Sequence, residues 1–246
     1  MSFSVLLLKA WEAYRGNARL ISFFSIPLLI AFPLLLLLPN YTALGGVFLR
    51  LGSLGADVSI SEIVYLLVVL LISLLLFSFG IVSVNSVIRS QRTLSKIKHA
   101  DLERMEEQTF RLFGLLLIVF LAVFGFNLLL YNAQVDEKIR VILNSLFGFA
   151  ASLLVLFAPQ AIVIDGARIE HALHLSSSVL SRKPASVVAF LAFGALLVLL
   201  NGLVFTSLQG VYSYSTVVGF AFNSLFIIPF LEVLKAQIYL SKYSLI

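Results

Sequence analysis

Long apolar runs alternate with short polar segments along the whole chain. A helix needs about 20 apolar residues to cross the hydrocarbon core of a bilayer. The stretch from Pro184 to Leu231 has no charged residue and is too long for one crossing, so we divide it at the Gly-, Ser- and Tyr-containing segment 208–215. The pattern predicts an all-α, polytopic membrane protein with six spans, at about residues 20–38, 63–88, 112–135, 141–164, 185–207 and 216–240.

Composition supports a chain that is embedded in lipid. Hydrophobic residues make up 61% of it and charged residues 12%, whereas soluble proteins average about 25% charged residues. We expect a single membrane domain, 1–246, in which the longest polar run, 89–111, forms a cytoplasmic loop. The absence of cysteine excludes disulfides and Cys-ligated metals and favours, weakly, an archaeal or thermophilic source.

The distribution of Lys and Arg predicts the orientation. Six spans place both termini on one side of the membrane, and that side holds 14 of the 17 cationic residues. Loops rich in Lys and Arg face the cytoplasm, so both termini are expected to be cytoplasmic in a cell membrane. The opposite side holds the other three cations, Arg50, Lys138 and Arg140.

Amphipathic segments precede the odd-numbered spans. In the first, Lys9, Glu12 and Arg15 form a charged stripe opposite apolar residues, and the segment ends at Gly16–Asn17. A similar segment is expected at 167–186, and a weaker one within 90–110. We therefore predict interfacial elbow helices.

The ends of the even-numbered spans also correspond, because Gly80, Pro159 and Pro229 fall at similar places and each weakens a helix. Together with the elbows, they predict a three-fold repeat of an elbow, a span out and a span back. The alternative is that there is no repeat, because any six-span protein with amphipathic loops shows this alternation of segments by chance.

Two stretches, LLLKAWEAYRGNARLI and FAPQAIVIDGARIEHALHLSSSVLSRKPASVV, resemble the elbows of a group of uncharacterised six-span prokaryotic proteins, archaeal ones among them. These are similar to the membrane domain of glycerophosphodiester phosphodiesterases. The corresponding positions here are Tyr14 to Asn17, Pro159, Gly166, Glu170, Ala172 and Ser176. The catalytic domain of those enzymes is missing, so the resemblance implies a fold and a location but no phosphodiesterase activity.

Glu232 and Lys235 stand near the end of the sixth predicted span, three residues apart on one helical face. The favoured interpretation is an ion pair at the cytoplasmic exit of the span, where Lys235 reaches the headgroups. The alternative is a buried carboxylate that faces the bundle interior, on a substrate or proton path.

Other polar residues within the spans are expected to face neighbouring helices, or alternatively to line a polar path. They are Asn127, Asn144, Asn201, Asn223 and Gln160. Cations at the cytoplasmic side suit anionic lipid headgroups; these are Arg89, Arg92, Lys96, Lys98, Arg182 and Lys183.

A metal site is the less favoured interpretation of His171 and His174, although Asp165 and Glu170 are near them in sequence. We expect the histidines and the serines 176–178 to form the polar side of the third elbow. No phosphate-binding or dinucleotide-binding motif occurs, and no cofactor is expected.

These observations predict a non-enzymatic multi-pass membrane protein, a scaffold or accessory subunit of a membrane machine or of lipid organisation. The expected partners are membrane lipids and a membrane or cytoplasmic protein, and no nucleic acid. One alternative is a transporter or channel component. Another is an intramembrane lipid enzyme that would use His171, His174, Asp165 and Glu232.

Overall fold

A computed structural model describes residues 2–36, 60–93, 99–212 and 214–241 of the chain. The described residues are helical almost throughout and include no strand. A 3₁₀ turn, Leu208–Gly210, follows α9, and a π-helical turn, Asn223–Ile227, joins α10 to α11. The helices are α1 Phe3–Gly16, α2 Ala18–Phe24, α3 Ile26–Leu36, α4 Ile60–Thr93, α5 His99–Asn132, α6 Glu137–Leu154, α7 Ala158–Ile164, α8 Ile169–Arg182, α9 Pro184–Ser207, α10 Ser215–Phe222 and α11 Ile228–Leu240.

Five helical stretches in the described part are long and apolar enough to cross a membrane, which confirms an all-helical fold of membrane type. They correspond to the second through sixth predicted spans and cover Leu67–Ser90, Leu102–Asn132, Glu137–Ile164, Pro184–Gly210 and Ser215–Leu240. The first predicted span coincides with α2 and α3, where the apolar helical stretch Ala18–Ala31 is shorter. Its predicted end, residues 37–38, lies outside the described residues.

Prolines mark the interruptions of three apolar segments. α2 ends before Ser25, two residues ahead of Pro27, and α3 begins at Ile26. Residues 155–157 separate α6 from α7 just before Pro159, and the π-helical turn precedes Pro229. Proline has no N–H to donate and clashes with the preceding turn, which explains these positions. The expected weakening at Gly80 does not interrupt its helix, because α4 is continuous from Ile60 to Thr93.

The predicted loop 89–111 is largely helical. α4 extends to Thr93 and α5 begins at His99, so only residues 94–98 fall outside the described part between the two helices. The segment expected to form the second elbow becomes, from His99 onward, the start of a 34-residue helix. Glu, Lys and Arg are good helix formers, so a polar composition alone does not indicate a loop.

Among the five spans that the structure describes in full, the second and the sixth are the most buried and the fifth is the least buried. Within their most apolar windows, 44% of residues are buried in the α4 span and 39% in the α10–α11 span, against 11% in the α9 span. The fourth span reaches the centre through α7, in which residues 158–163 are all buried. The outer helices present large apolar side chains, such as Leu129, Val188 and Leu203, to their surroundings.

The segments predicted as the first and third elbows are both 14-residue helices, α1 and α8. α1 ends at Gly16, as predicted, and packs against α11 through its buried residues Leu6, Ala10 and Tyr14. The Tyr14 hydroxyl donates to the carbonyl oxygen of Leu225 at 3.5 Å, and burial raises the pKa of this phenol. The elbow is therefore part of the folded bundle as well as amphipathic.

Gly166 lies in the connection between α7 and α8 and has a φ of +69°. A Cβ at this position would stand 3.0 Å from an Arg104 guanidinium nitrogen. Gly166→Ala is expected to lower the free energy of unfolding by about 1–2 kcal/mol, because L-residues are strained in the left-handed region. Thermal unfolding in detergent should show this loss, and Gly16→Ala, which meets nothing within 4 Å, should not.

A buried polar cluster as the candidate functional site

Glu232 and Lys235 form an ion pair inside the bundle. The carboxylate Oε1 lies 2.6 Å from the ammonium Nζ, and only 6% and 10% of the two side chains are exposed. The pairing predicted from their spacing is therefore present. Its location differs from the favoured expectation, because both residues are enclosed by neighbouring helices and not at an exposed end of a span.

Two amides complete the surroundings of this carboxylate. Glu232 Oε2 accepts hydrogen bonds from Gln160 Nε2 at 3.0 Å and from Asn85 Nδ2 at 3.3 Å. Gln160 Nε2 also lies 3.3 Å from Asn85 Oδ1, which accepts from it. We call Asn85, Gln160, Glu232 and Lys235 the polar cluster; it joins α4, α7 and α11.

The charges of the polar cluster balance each other. Each carboxylate oxygen of Glu232 has at least one donor, and Lys235 Nζ also donates to the carbonyl oxygen of Leu156 at 3.4 Å. A buried charge is tolerated when it is paired and hydrogen-bonded. The side-chain oxygen of Gln160, Oε1, is buried and accepts no hydrogen bond from a described residue. The cluster is thus nearly self-satisfied.

Side chains from α4 and α5 bind the carbonyl end of α7. The last carbonyls of a helix have no partner within it. Gln108 Nε2 donates to the carbonyl oxygens of Ile162 and Val163, both at 3.2 Å, and Arg89 Nη1 donates to that of Val163 at 3.2 Å. Arg89, expected to contact lipid headgroups, therefore also supports α7.

Ser176 is fully buried, which corrects the expectation that serines 176–178 form the polar side of α8. Its Oγ accepts the backbone N–H of Phe157 at 3.1 Å. This N–H lies at the interruption between α6 and α7, where no helical carbonyl is available to it. Ser177 and Ser178 are partly exposed, so Ser176 alone of the three faces inward.

Ser176→Ala is expected to cost about 1–3 kcal/mol of unfolding free energy, because the Phe157 N–H would remain buried without an acceptor. Ser177→Ala is the matched control, since its Oγ donates only to a carbonyl of its own helix. Thermal unfolding of both variants in one detergent would measure the difference. Equal stability of the two variants would contradict the assigned hydrogen bond.

The other polar residues expected within spans lie apart from the cluster in sequence and on other helices. Asn201 Nδ2 donates to the carbonyl oxygen of Gly219 at 3.1 Å and so joins α9 to α10. Asn223 is in the π-helical turn. Asn127 and Asn144 are buried on α5 and α6.

The remaining cations expected at lipid headgroups differ in their surroundings. Arg182 is exposed at the end of α8. Lys183 Nζ donates to Ser241 Oγ, and partial burial lowers the pKa of this ammonium group. The Arg92 side chain, Lys96 and Lys98 lie outside the described part of the chain.

The residues weighed for metal or lipid chemistry do not converge. The His171 and His174 rings are 6.5 Å apart between centroids and both residues are exposed. Asp165 Oδ2 accepts from the Tyr239 hydroxyl at 2.5 Å. Within the ranges that the structure describes, no group of three or more His, Cys, Asp or Glu residues could hold a metal ion.

The sequence pattern did not single out Asn85 or Gln108, although both side chains donate hydrogen bonds in this site. Asn85 is the one amide side chain in the stretch IVSVNSVI of the second span, and that amide was the available signal. Gln108 lies in the charged segment before the third span, where nothing in the pattern distinguishes it from solvent-exposed neighbours.

Comparison with known proteins does not assign this chain to a family. No family matches it, and no curated protein and no solved structure matches it either.

Proposed function

We propose that this chain is a non-enzymatic, six-span protein of the cell membrane that acts as a scaffold or accessory subunit. The observation that carries the proposal is the pairing within the polar cluster. Glu232 and Lys235 neutralise each other, and Asn85 and Gln160 direct their amide donors at the same carboxylate. Groups paired in this way hold α4, α7 and α11 together and leave no free acid, base or nucleophile within the polar cluster.

The span that this proposal adds to the five long apolar helices is the first predicted one, at about residues 20–38, which coincides with α2 and α3. A three-fold repeat is supported by the origin of the cluster, because every even-numbered span contributes to it: Asn85 from the second, Gln160 from the fourth, and Glu232 with Lys235 from the sixth. The proposed kinship is with the membrane domain of glycerophosphodiester phosphodiesterases, without their catalytic activity.

Both termini are proposed to be cytoplasmic. The chain contains no cysteine, so single-cysteine variants can be labelled in intact cells with a membrane-impermeant maleimide. His174→Cys, on α8, should be protected from the reagent and Ala133→Cys, between α5 and α6, should react. The reverse pattern would refute the orientation.

The scaffold role predicts a partner that copurifies with the tagged chain from mild detergent in a fixed stoichiometry. Glu107→Gln, at an exposed ion pair with Arg111, should retain the partner if binding depends on apolar faces of the bundle. Purification of the chain without any protein partner, at full yield and stability, would contradict the scaffold role.

A transporter component is the second candidate, favoured by one observation. Two of the central spans are discontinuous beside a buried ion pair, at residues 155–157 and in the π-helical turn. Transporters commonly build binding sites from interrupted helices and buried charges. Solute uptake by liposomes that contain only the purified chain, abolished in Glu232→Gln, would establish this function in place of the scaffold.

A further inference from the structure

A large apolar groove opens between the first elbow and the last two spans. It is bounded by α1, α9 and the α10–α11 segment and has a volume of about 1090 Å³, slightly above the range of about 300–1,000 Å³ for small-molecule sites. Its lining is almost entirely aliphatic and aromatic; among the lining residues are Leu8, Trp11, Leu200, Phe205, Phe226 and Phe230. We call it the elbow groove.

One edge of the elbow groove leads to a cation. Ser4, Leu8 and Trp11 line it from α1 and follow one another at spacings of four and three residues, which places them in one row along the helix. The next residue in that row, four positions on, is Arg15, which is exposed at the end of α1. This row of groove-lining residues therefore continues into a positive charge.

We propose that the elbow groove binds an acyl chain of a membrane phospholipid whose anionic headgroup contacts Arg15. A groove that faces hydrocarbon cannot remain empty without losing dispersion contacts along its walls, and its apolar lining offers water almost no hydrogen-bond partner. An elongated apolar occupant with a negative end matches both the lining and the cation. The proposal rests on the membrane location proposed above, and not on the scaffold role.

Trp11 provides a direct reporter, because it is the only tryptophan of the chain and lines the elbow groove. The full chain would be reconstituted in phosphatidylcholine vesicles that contain a small fraction of phosphatidylglycerol with brominated acyl chains, which quench tryptophan fluorescence on contact. A parallel sample would carry the same fraction of brominated phosphatidylcholine. We expect the brominated phosphatidylglycerol to associate about fivefold more strongly, the factor that one cation contributes near an anionic surface.

Two pairs of variants separate the headgroup contact from the groove. Arg15→Gln should remove the fivefold preference, and Lys9→Gln, which neutralises an exposed cation outside the groove-lining row, should retain it. Leu200→Phe should fill part of the groove and reduce quenching by both lipids. Leu199→Phe, at an exposed position of α9 that does not line the groove, should leave quenching unchanged.

Equal quenching by both brominated lipids in the unaltered chain would overturn the headgroup assignment. Protection of Trp11 from both lipids, with a dimeric mass in detergent, would show that a second copy fills the groove and would also overturn the proposal. Release of the chain from cell membranes by alkaline carbonate would instead refute the membrane location itself. The first two results leave that location standing, so failure of the lipid site and failure of the proposed function are distinguishable.

Discussion

Glu232→Met is expected to lower the free energy of unfolding by about 3–5 kcal/mol, the usual cost of removing one partner from a buried ion pair. The Lys235 ammonium would keep only the Leu156 carbonyl as a hydrogen-bond acceptor. Most of the lost stability arises from burying the unpaired Lys235 charge. The lost attraction between Glu232 and Lys235 contributes less. Thermal and SDS-induced unfolding in detergent would measure it.

The double variant Glu232→Met/Lys235→Met should recover most of that loss, because no charge then remains buried. Asn85 Nδ2 would still donate to the Ile81 carbonyl and Gln160 Nε2 to Asn85 Oδ1. Glu107→Met, which disrupts the more exposed pair with Arg111, should cost less than about 1 kcal/mol. A double variant as unstable as the single one would show that the charge balance is not what stabilises this crossing.

Gly80→Leu is expected to cost about 3 kcal/mol, the upper end of the usual range for overpacked sites. α3 crosses α4 so closely at this point that a Cβ on Gly80 would stand 2.7 Å from both Cγ and Cδ2 of Leu28. Leu28 is fully buried and cannot move into solvent. Small residues commonly permit such close approaches between membrane helices, and detergent unfolding would report the loss.

Rescue by Leu28→Ala is the decisive control for this crossing. In the double variant the larger side chain on α4 replaces the volume removed from α3, and we expect at least half of the stability to return. Gly125→Ala, at a glycine whose Cβ would meet nothing within 4 Å, should be neutral or slightly stabilising. If Leu28→Ala gives no rescue, the cost must come from another contact.

Span positions were the part of the fold most accessible from sequence. α9 begins at Pro184 and ends at Ser207, and the last span covers Ser215–Leu240, each within a residue of the prediction. The reason is that the charge-free run 184–231 begins directly after Lys183 and is divided by the polar turn residues at 208–215. The segment 89–111 was predicted poorly because charged residues form helices as readily as loops.

The candidate site was less accessible because its contacts are distant in sequence. The partners of Glu232 lie 72 and 147 residues away, at Gln160 and Asn85. The position of Glu232 within an apolar run indicates how close it lies to the end of its span. It does not indicate which other helices pack around its side chain. The inward position of Ser176 likewise depends on a distant partner, the backbone N–H of Phe157. This N–H needs a side-chain acceptor because the fourth span is interrupted there.

The packing of α1 against α11 has a consequence for biosynthesis. Tyr14 and the Leu225 carbonyl that it contacts are 211 residues apart, so at about 5–20 residues per second the ribosome needs roughly 10–40 s to supply the second after the first. During that interval the inner face of the elbow has no final partner, and a nascent chain must shelter it in the lipid surface or against an insertion factor. α1 thus leaves the ribosome long before the segment that completes its native contacts.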